Sequence, residues 1–351
     1  MRTVVKGSGF VVGEHKVDNH QLARVCDTSD QWIRERSGIE ERYYVADGTT
    51  TSDLGVRAAK VALEQAGVAP SEIDYVVFAT MTPDFYFPGC GALLQAKLGL
   101  RNVPSLDLRQ QCTGFIYGLQ VSDALLRAGA AKKLLLVGAE VHSGFMPWAK
   151  DWDIVFGKRE GRPSDEDWAF STRYRDRTVL FGDAGGAVVL EAGKDDTTGL
   201  LDVSLHSDGS FAEKLYVPSG FAWRPYLTEA MIREGRHIPE MDGKQVFRMA
   251  VTKMPEVVRE IVAKNGYTLD DVSLLIAHQA NLRISEAVQK ALALPDERVY
   301  NNIQRYGNTT AATIPIAYDE CRRAGRIKKG DLVCFVGLGA GFHWGAALYR
   351  E

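Results

Sequence analysis

Residues 107–119, with the sequence DLRQQCTGFIYGL, combine the end of a strand, a sharp turn and the start of a helix. Apolar residues recur at helical spacing after the turn, beginning with Phe115 and Leu119. Cys112 therefore lies in the first helical turn, where unpaired backbone N–H groups and the helix dipole favour a thiolate. This position predicts a nucleophile whose pKa is lowered toward neutrality. The alternative is a small buried hydrophobic residue, which describes most free cysteines.

A second stretch, residues 299–309 with the sequence VYNNIQRYGNT, matches residues 103–113 without a gap. The offset is 196, which is 308 minus 112, and it places Asn308 opposite Cys112. A neighbouring match begins at Gly67 and Gly266 with an offset of 199. The sequence therefore predicts two duplicated halves. If these halves pack about a pseudo-twofold axis, Cys112 and Asn308 face each other across one site.

The composition argues against several classes of function. The chain of 351 residues is 45% hydrophobic and 25% charged, and its net charge of −3 does not indicate nucleic-acid binding. Its five cysteines lack zinc or CxxC spacing, which predicts a reducing cytoplasmic location and no metal site. The N-terminus lacks the pattern of a leader peptide, and no apolar segment approaches the length of a membrane span. No membrane association is therefore predicted.

Apolar strands alternate with helices along the chain, which predicts an α/β fold with a mostly parallel sheet covered on both faces. We expect one half to span residues 1–191 and the other residues 192–351, fused as a single globular body. A helix is predicted over residues 17–25. The glycine-rich segments 182–186 and 337–341 are predicted to form a turn and a loop, and the first lacks a nucleotide-binding pattern.

Nearly the whole chain resembles the β-ketoacyl-acyl-carrier-protein synthases of class III, the condensing enzymes of the thiolase superfamily that begin fatty-acid synthesis. The resemblance rests on the Cys112 segment and four others: TSDQWIRERSGI at 28–39, HQANLRI at 278–284, YGNTTAA at 306–312 and GAGFHWG at 339–345. It implies a thiolase-like, five-layered αβαβα fold built from two similar halves, in agreement with the duplication.

The resemblance also implies roles for the residues of these segments. Cys112 would attack the thioester of an acyl donor and carry the acyl group, while the backbone N–H groups of Cys112 and Ala340 hold the oxyanion. His278 and Asn308 would donate hydrogen bonds to the enolate formed when a malonyl thioester loses CO₂. His343, where the family commonly has threonine, is left outside the catalytic set, and His142 is interpreted as structural.

Trp32 and Arg36 are one helical turn apart, so they share a face that can stack on an adenine ring. The resemblance places the adenine of coenzyme A there, with Arg175 or Arg177 completing the clamp. A surface tryptophan that covers the core is the alternative. The resemblance assigns three further residues to the pantetheine channel: Phe247, Ala280 and Asn281. No cofactor is implied, because acyl-CoA is a substrate.

Other residues match positions that the family uses for protein contacts. Arg248, Arg283 and Lys290 stand where the family has a basic patch for its acidic carrier protein, although a solvated helix face also explains Arg248 and Lys290. Phe87 matches a residue that family dimers insert into the acyl pocket of the partner. The implied partners are therefore acyl-CoA, malonyl-acyl-carrier protein and a second copy of this chain.

Two segments depart from the family pattern. An insertion at about residues 145–176 contains Trp148, Trp152 and Trp168, and a second enlargement runs from residue 222 to residue 239 through Trp223. Tryptophan side chains are large and apolar, so they are usually buried against other parts of the protein or a binding partner. We expect the first insertion to pack around the channel entrance and to select acyl donors or acceptors. The alternative is a segment that lies away from the channel and only thickens the dimer surface.

The leading hypothesis for the function is decarboxylative condensation of an acyl-CoA with malonyl-acyl-carrier protein through an acyl-Cys112 intermediate. Non-decarboxylative acyl transfer, or the joining of two acyl-CoAs in specialised metabolism, is the alternative. A catalytically silent scaffold subunit is disfavoured, because Cys112, His278 and Asn308 are all present. The sequence does not determine the acyl chain or its acceptor.

Overall fold

The computed structural model describes residues 2–194, 196–220, 222 and 224–351. Trp223, part of the second enlargement, lies outside the described residues. The strands within this part of the chain are β1 (Thr3–Val12), β2 (His15–Asp18), β3 (Glu41–Tyr44), β4 (Tyr75–Ala79), β5 (Ser105–Leu108), β6 (Lys133–Glu140), β7 (Ala184–Ala192), β8 (Gly199–Ser207), β9 (Leu215–Tyr216), β10 (Glu240–Met241), β11 (Leu274–Ala277), β12 (Val299–Tyr300), β13 (Leu332–Gly339) and β14 (His343–Arg350).

The helices lie between these strands. They are α1 (Asn19–Leu22), α2 (Asp30–Ser37), α3 (Thr51–Ala66), α4 (Cys90–Leu98), α5 (Gly114–Arg127), α6 (Trp152–Val155), α7 (Asp165–Thr178), α8 (Glu229–Arg233), α9 (Gly243–Lys264), α10 (Leu282–Leu292), α11 (Ile303–Tyr306) and α12 (Thr313–Arg323). Short 3₁₀ turns at Gln111–Thr113 and Thr310–Ala312 lead into α5 and α12.

Two five-stranded sheets repeat one topology. The first has the strand order β1-β7-β6-β4-β5, and the second has the order β8-β14-β13-β11-β12. In each sheet the last three strands of these orders run parallel to one another. The second strand, β7 or β14, is antiparallel to both of its neighbours. The predicted duplication is therefore visible in the strand order, with the first sheet ending at Ala192 and the second beginning at Gly199.

Five layers follow from the hydrophobic clusters. Helices α5 and α12 lie between the sheets in a common core that includes Phe115, Ile314 and Phe335. Helices α3 and α4 cover the outer face of the first sheet, and α9 and α10 cover the outer face of the second. The predicted αβαβα thiolase-like fold is thus confirmed, and the apolar continuity of its strands reflects burial on both faces.

The register of the repeat differs from the prediction near the site. Strands β4 and β11 are related by an offset of 199, which is 274 minus 75, and so are the starts of α5 and α12, from 313 minus 114. The helix ends keep the offset of 196, which is 323 minus 127, because α12 is three residues shorter than α5. The structural counterpart of Cys112 is consequently Ala311, and Asn308 lies three residues before it.

Three local predictions were wrong. Residues 17–25 do not form one helix, because Val17 and Asp18 pair with β3 before the single turn of α1. Gly185 and Gly186 lie inside β7 and not in a turn. An added Cβ at Gly185 would lie 2.7 Å from the Leu54 carbonyl oxygen, so the absent side chain lets α3 pack closely on the sheet. Likewise, β13 extends as far as Gly339, which leaves a turn of only three residues before β14.

Candidate active site

A single cavity of about 610 Å³ connects solvent with the junction of the two halves. Its lining includes the exposed side chain of Arg36 at one extreme and three buried residues at the other. The buried residues are Cys112, His278 and Asn308, whose exposed fractions are 9%, 2% and 6%. The structure therefore brings the three predicted catalytic side chains into one largely enclosed space.

Cys112 lies in the 3₁₀ turn that precedes α5, as the sequence predicted. Gly339 of β13 packs directly on it, since an added Cβ there would lie 2.9 Å from the Cys112 backbone nitrogen. Burial, with a smaller contribution from the Glu140 carboxylate, raises the pKa of the Cys112 thiol to about 12. The prediction of a lowered pKa was therefore wrong, because desolvation outweighs the helix dipole in this buried turn.

His278 follows directly on β11 and approaches the same point as Cys112. An added Cβ at Gly337 would lie 3.4 Å from His278 Cβ and 3.5 Å from the Cys112 carbonyl oxygen. The His278 Nδ1 atom lies 2.7 Å from the Thr313 hydroxyl, whereas Nε2 is buried without a hydrogen-bond partner in the described residues. Burial lowers the pKa of His278 to about 3, so the ring is neutral.

Asn308 is held by its backbone and by its side-chain oxygen. Its N–H donates to the Leu180 carbonyl at 2.7 Å, and its carbonyl accepts from the Gly182 N–H at 3.2 Å. The Thr310 N–H donates to Asn308 Oδ1 at 2.9 Å. Because the amide oxygen is occupied in this way, the NH₂ group of Asn308 is the part that remains for a ligand in the cavity.

The Thr313 hydroxyl determines which nitrogen of His278 carries the proton. It donates to the Thr310 carbonyl at 2.9 Å, so it accepts from His278 Nδ1–H. The resting site consequently presents one donor, the Asn308 amide, and one acceptor, the His278 Nε2 lone pair. This differs from the predicted pair of donors, and it leaves the Nε2 lone pair free to accept a proton in the cavity that Cys112 also lines.

The second expected oxyanion donor, Ala340, directly follows Gly339 at the end of β13 and lines the cavity. The close packing of Gly339 on the Cys112 backbone nitrogen brings the two expected donors, the N–H groups of Cys112 and Ala340, to the same wall of the site. His343 also lines the cavity, and its ring meets Tyr117 edge-on at 5.7 Å.

At the cavity mouth, Trp32 lies beneath two guanidinium groups. The Arg36 Cζ atom is 4.4 Å from the Trp32 ring centroid, and the Arg175 Cζ atom is 5.0 Å from it. Arg175 also pairs with Asp27 at 2.8 Å. Arg177 points elsewhere, over the ring of Tyr174 at 5.0 Å. Of the two alternatives from the sequence, the structure therefore places Arg175 beside Trp32.

The remaining predicted substrate residues divide into two groups. Phe247, Ala280 and Asn281 line the cavity, and Asn281 Nδ2 donates to the Arg36 carbonyl at 2.8 Å, which ties α10 to α2. Phe87 is not among the lining residues, and 71% of its side chain is exposed. Phe87 therefore does not belong to the cavity of its own chain.

The three expected carrier-protein residues are all exposed, but they are not equally close to the cavity. The Arg283 guanidinium lies 6.0 Å from the ring of the cavity-lining Phe247, and Arg248 is the next residue along α9. Lys290 lies two turns further along α10, outside the cavity. Of the three expected residues, Arg248 and Arg283 therefore lie nearer the cavity than Lys290.

The first insertion is mainly part of the protein body. Trp148 is 1% exposed and packs with Trp152 in a cluster that contains Leu22 and Tyr44. Its final helix, α7, places Arg175 over Trp32, which lines the cavity. The described part of the second enlargement touches this helix, since the Tyr174 hydroxyl donates to the Glu234 carbonyl at 2.8 Å.

Sequence reasoning missed Glu140, a buried carboxylate near the site. It accepts hydrogen bonds from the Thr80 hydroxyl at 3.0 Å and from the Met81 N–H at 3.1 Å, and Met81 lines the cavity. Burial raises the pKa of Glu140 to about 7. The available signal was an acidic residue that directly follows the apolar run 134–139 of its strand.

Comparison with known proteins agrees with this geometry. The family models described as 3-oxoacyl-[acyl-carrier-protein (ACP)] synthase III and its C-terminal region match residues 106–158, 166–209 and 262–351. The chain is 41% identical to the β-ketoacyl-[acyl-carrier-protein] synthase III of Rhizorhabdus wittichii over 349 residues, covering 99% of both chains. The chain belongs to the β-ketoacyl-[acyl-carrier-protein] synthase III family.

Solved structures support the same assignment. The 3-oxoacyl-[acyl-carrier-protein] synthase III of Aquifex aeolicus matches 99% of this chain and 100% of its own with a TM-score of 0.84 and 36% identity. The enzyme from Pseudomonas aeruginosa matches 100% and 98% of the two chains with the same score and identity. The chain is thus an acyl-transferring condensing enzyme of the thiolase fold, of the type found in fatty-acid biosynthesis.

Two features are absent from the part of the chain that the structure describes. No helix among them is both long and apolar enough to cross a membrane. No group of three or more His, Cys, Asp or Glu side chains there is arranged to hold a metal ion.

Proposed function

We propose that this synthase condenses an acyl-CoA with malonyl-acyl-carrier protein through an acyl-Cys112 intermediate. The observation that carries the proposal is the single cavity that joins the Trp32–Arg175 pair at its mouth to Cys112, His278 and Asn308 in its interior. The mouth suits an adenine with its phosphates, and the interior suits a thioester. The relatives named above are synthases that act on acyl-carrier proteins, which supports the choice of acceptor.

The first half-reaction transfers the acyl group to the enzyme. His278 Nε2 accepts the proton of the Cys112 thiol as the sulfur attacks the thioester carbonyl, which overcomes the raised pKa of the thiol. The negative charge moves to the carbonyl oxygen, where the N–H groups of Cys112 and Ala340 donate hydrogen bonds. When the tetrahedral intermediate collapses, the carbon–sulfur bond to CoA breaks and His278 returns the proton to the departing CoA sulfur.

The second half-reaction forms the carbon–carbon bond. The malonyl carboxylate leaves as CO₂, and its electron pair becomes an enolate whose oxygen accepts from the Asn308 amide. His278 can donate there as well if the Thr313 hydroxyl turns toward Nδ1 and the ring shifts its proton to Nε2. The enolate carbon then attacks the acyl-Cys112 carbonyl. The released Cys112 thiolate takes one proton from solvent, so the reaction requires no cofactor.

Mass measurement of the Cys112 peptide tests both half-reactions. After incubation with acyl-CoAs of several lengths, we expect the acyl mass on Cys112 in the wild-type protein and no adduct in Cys112→Ser. Asn308→Ala is expected to acquire the acyl mass but to release little CO₂ from malonyl-acyl-carrier protein. Normal CO₂ release by this variant would contradict the proposal. Product formation from two acyl-CoAs without CO₂ would favour the alternative condensation.

A homodimer is the proposed assembly. Phe85, Tyr86 and Phe87 are more than half exposed, and β5 is an edge strand of the first sheet. Exposed aromatic side chains and an unpaired strand edge are both usually buried against a partner. The partner copy would cover them and would receive Phe87 in its acyl pocket, as the family resemblance implies. Light scattering at micromolar concentration is expected to give twice the mass of 38.7 kDa, and the mass of a single chain would contradict the proposal.

A further inference from the structure

His142, which the mechanism does not use, lies fully buried just beyond β6 with both ring nitrogens in hydrogen bonds. Its Nδ1 atom is 2.8 Å from the Gly182 carbonyl oxygen, and its Nε2 atom is 2.9 Å from the Thr310 hydroxyl. A carbonyl oxygen only accepts, so Nδ1 carries the proton. Nε2 therefore accepts from the Thr310 hydroxyl. The ring is neutral, because burial lowers the pKa of His142 to about 4.

Thr310 connects this histidine to both catalytic polar residues. Its N–H donates to Asn308 Oδ1, and its carbonyl accepts from the Thr313 hydroxyl, both at 2.9 Å. Thr313 in turn accepts from His278 Nδ1. The three polar groups of Thr310 are thus all occupied, and each fixes a different neighbour: His142, Asn308 or Thr313.

The backbone of Thr310 needs such support. Its φ angle is +50°, in the left-handed region that a β-branched residue adopts only at a cost of about 1–3 kcal/mol. The hydrogen bond to His142 is made by the side chain and therefore depends on the orientation of this strained residue. Loss of this bond would allow Thr310 to relax, which would turn its N–H away from Asn308.

We propose that His142 is a positioning residue that acts through the Thr310 hydroxyl to orient the Asn308 amide and, through Thr313, the His278 ring. His142 is absent from the cavity lining, whereas Thr310 lines it. The influence of His142 on the reaction therefore passes through Thr310. This inference rests on the proposed roles of Asn308 and His278 in decarboxylation.

Three threonine variants test the connection without disturbing the fold strongly. Thr310→Val removes the hydroxyl but keeps the backbone groups and the branched shape. Thr310→Ser restores the hydroxyl. Thr309→Val is the matched control, because the Thr309 hydroxyl is buried without a partner in the described residues and does not line the cavity. His142→Leu removes the other end of the same hydrogen bond.

We expect Thr310→Val and His142→Leu to lower the kcat of malonyl decarboxylation about 10- to 100-fold with little change in KM. The rate of Cys112 alkylation is expected to stay the same. Thr310→Ser should recover most of the loss of Thr310→Val. The double variant should be no slower than the worse single variant, because both changes break one bond. A purely structural role predicts a lower Tm with normal kcat per folded molecule, and that result would overturn the proposal.

Nuclear magnetic resonance of the Asn308 side-chain amide gives a readout that is independent of the substrate. The ¹⁵N and ¹H shifts of this amide are expected to move in Thr310→Val and His142→Leu, but not in Thr309→Val. Unchanged shifts would overturn the positioning role. If the shifts move but the wild-type protein releases no CO₂ from malonyl thioesters, the proposed function fails while the hydrogen-bond connection stands.

Discussion

At the scale of single residues, the site depends on environments that a sequence does not display. The position of Cys112 before a helix could be predicted from spacing. The roles of His278 and Asn308 could be expected from the family resemblance. Its pKa could not, because the apolar enclosure comes from both halves of the chain and Glu140 lies 28 residues further along, which is 140 minus 112. In the proposed mechanism the thiol is therefore activated by His278 and not by the helix dipole.

The pH dependence of Cys112 alkylation follows from this difference. Because the pKa of the thiol is about 12, the thiolate fraction and the alkylation rate are expected to rise about tenfold per pH unit from pH 6 to pH 9. Peptide masses after brief iodoacetamide treatment measure the rate at Cys112 separately from the other four buried cysteines. A plateau near pH 7 would show instead that the thiol ionises close to neutrality.

At the scale of elements, strand β13 sets the geometry of the site through two glycines. Apolar alternation and glycine content predicted a strand followed by a loop, but not that the strand continues as far as Gly339. That extension depends on the eight residue pairs between β13 and β14, and the glycine pattern alone does not reveal this pairing. Gly339 then meets Cys112, whereas Gly337 faces the space between Cys112 and His278.

Alanine at these two glycines should have unequal effects. A Cβ at position 339 would lie 2.9 Å from the Cys112 backbone nitrogen, whereas a Cβ at position 337 meets nothing closer than 3.4 Å. We expect Gly339→Ala to lower the rate of Cys112 acylation at least tenfold, because the 3₁₀ turn must shift. Gly337→Ala should lower it much less. Stopped-flow measurement of CoA release gives both rates, and equal losses would contradict this account of the close packing.

Helices α2 and α7 illustrate a choice that the sequence left open. Arg175 and Arg177 are two residues apart on α7, and the neighbouring insertion prevented a reliable choice from the resemblance. The helix turns these side chains to different neighbours, so that Arg175, and not Arg177, lies over Trp32. The matched pair Arg175→Ala and Arg177→Ala should therefore separate substrate binding from packing.

We expect Arg175→Ala to raise the KM for acyl-CoA about 5- to 50-fold, which corresponds to roughly 1–2 kcal/mol of lost stacking and charge interaction. The kcat should change little, because the clamp is remote from the thioester. Arg177→Ala should leave the KM near the wild-type value. Steady-state kinetics with varied acyl-CoA measure this, and a larger KM effect for Arg177→Ala would transfer the clamp to that residue.

At the scale of the whole molecule, the duplication could be recognised from the sequence, whereas the place of the insertion in the fold could not. Repeated residues and alternating elements were sufficient for the two halves, since equivalent strands keep similar apolar sequences. The place of the insertion depends on contacts with the N-terminal segment, which no repeat or motif records. Trp148 and Trp152 proved to be covered by the protein body, while α7 alone carries the insertion to the cavity mouth.

Two variants should separate these parts of the insertion. Trp148→Ala removes a side chain that is 1% exposed, so we expect a loss of about 3–5 kcal/mol in the free energy of unfolding. The ratio of kcat/KM between short and long acyl-CoAs should stay the same, because Trp148 does not line the cavity.

Tyr174→Phe keeps the aromatic ring but removes the hydrogen bond to the Glu234 carbonyl. Its cost in stability should be only about 1 kcal/mol. The change frees the second enlargement from α7 near Pro239 and Met241, which line the cavity, so the ratio of kcat/KM between short and long donors should shift. Urea unfolding and kinetics on the same preparations measure both quantities. An unchanged ratio in a stable Tyr174→Phe protein would show that contact between the two enlarged segments does not control which acyl donors enter.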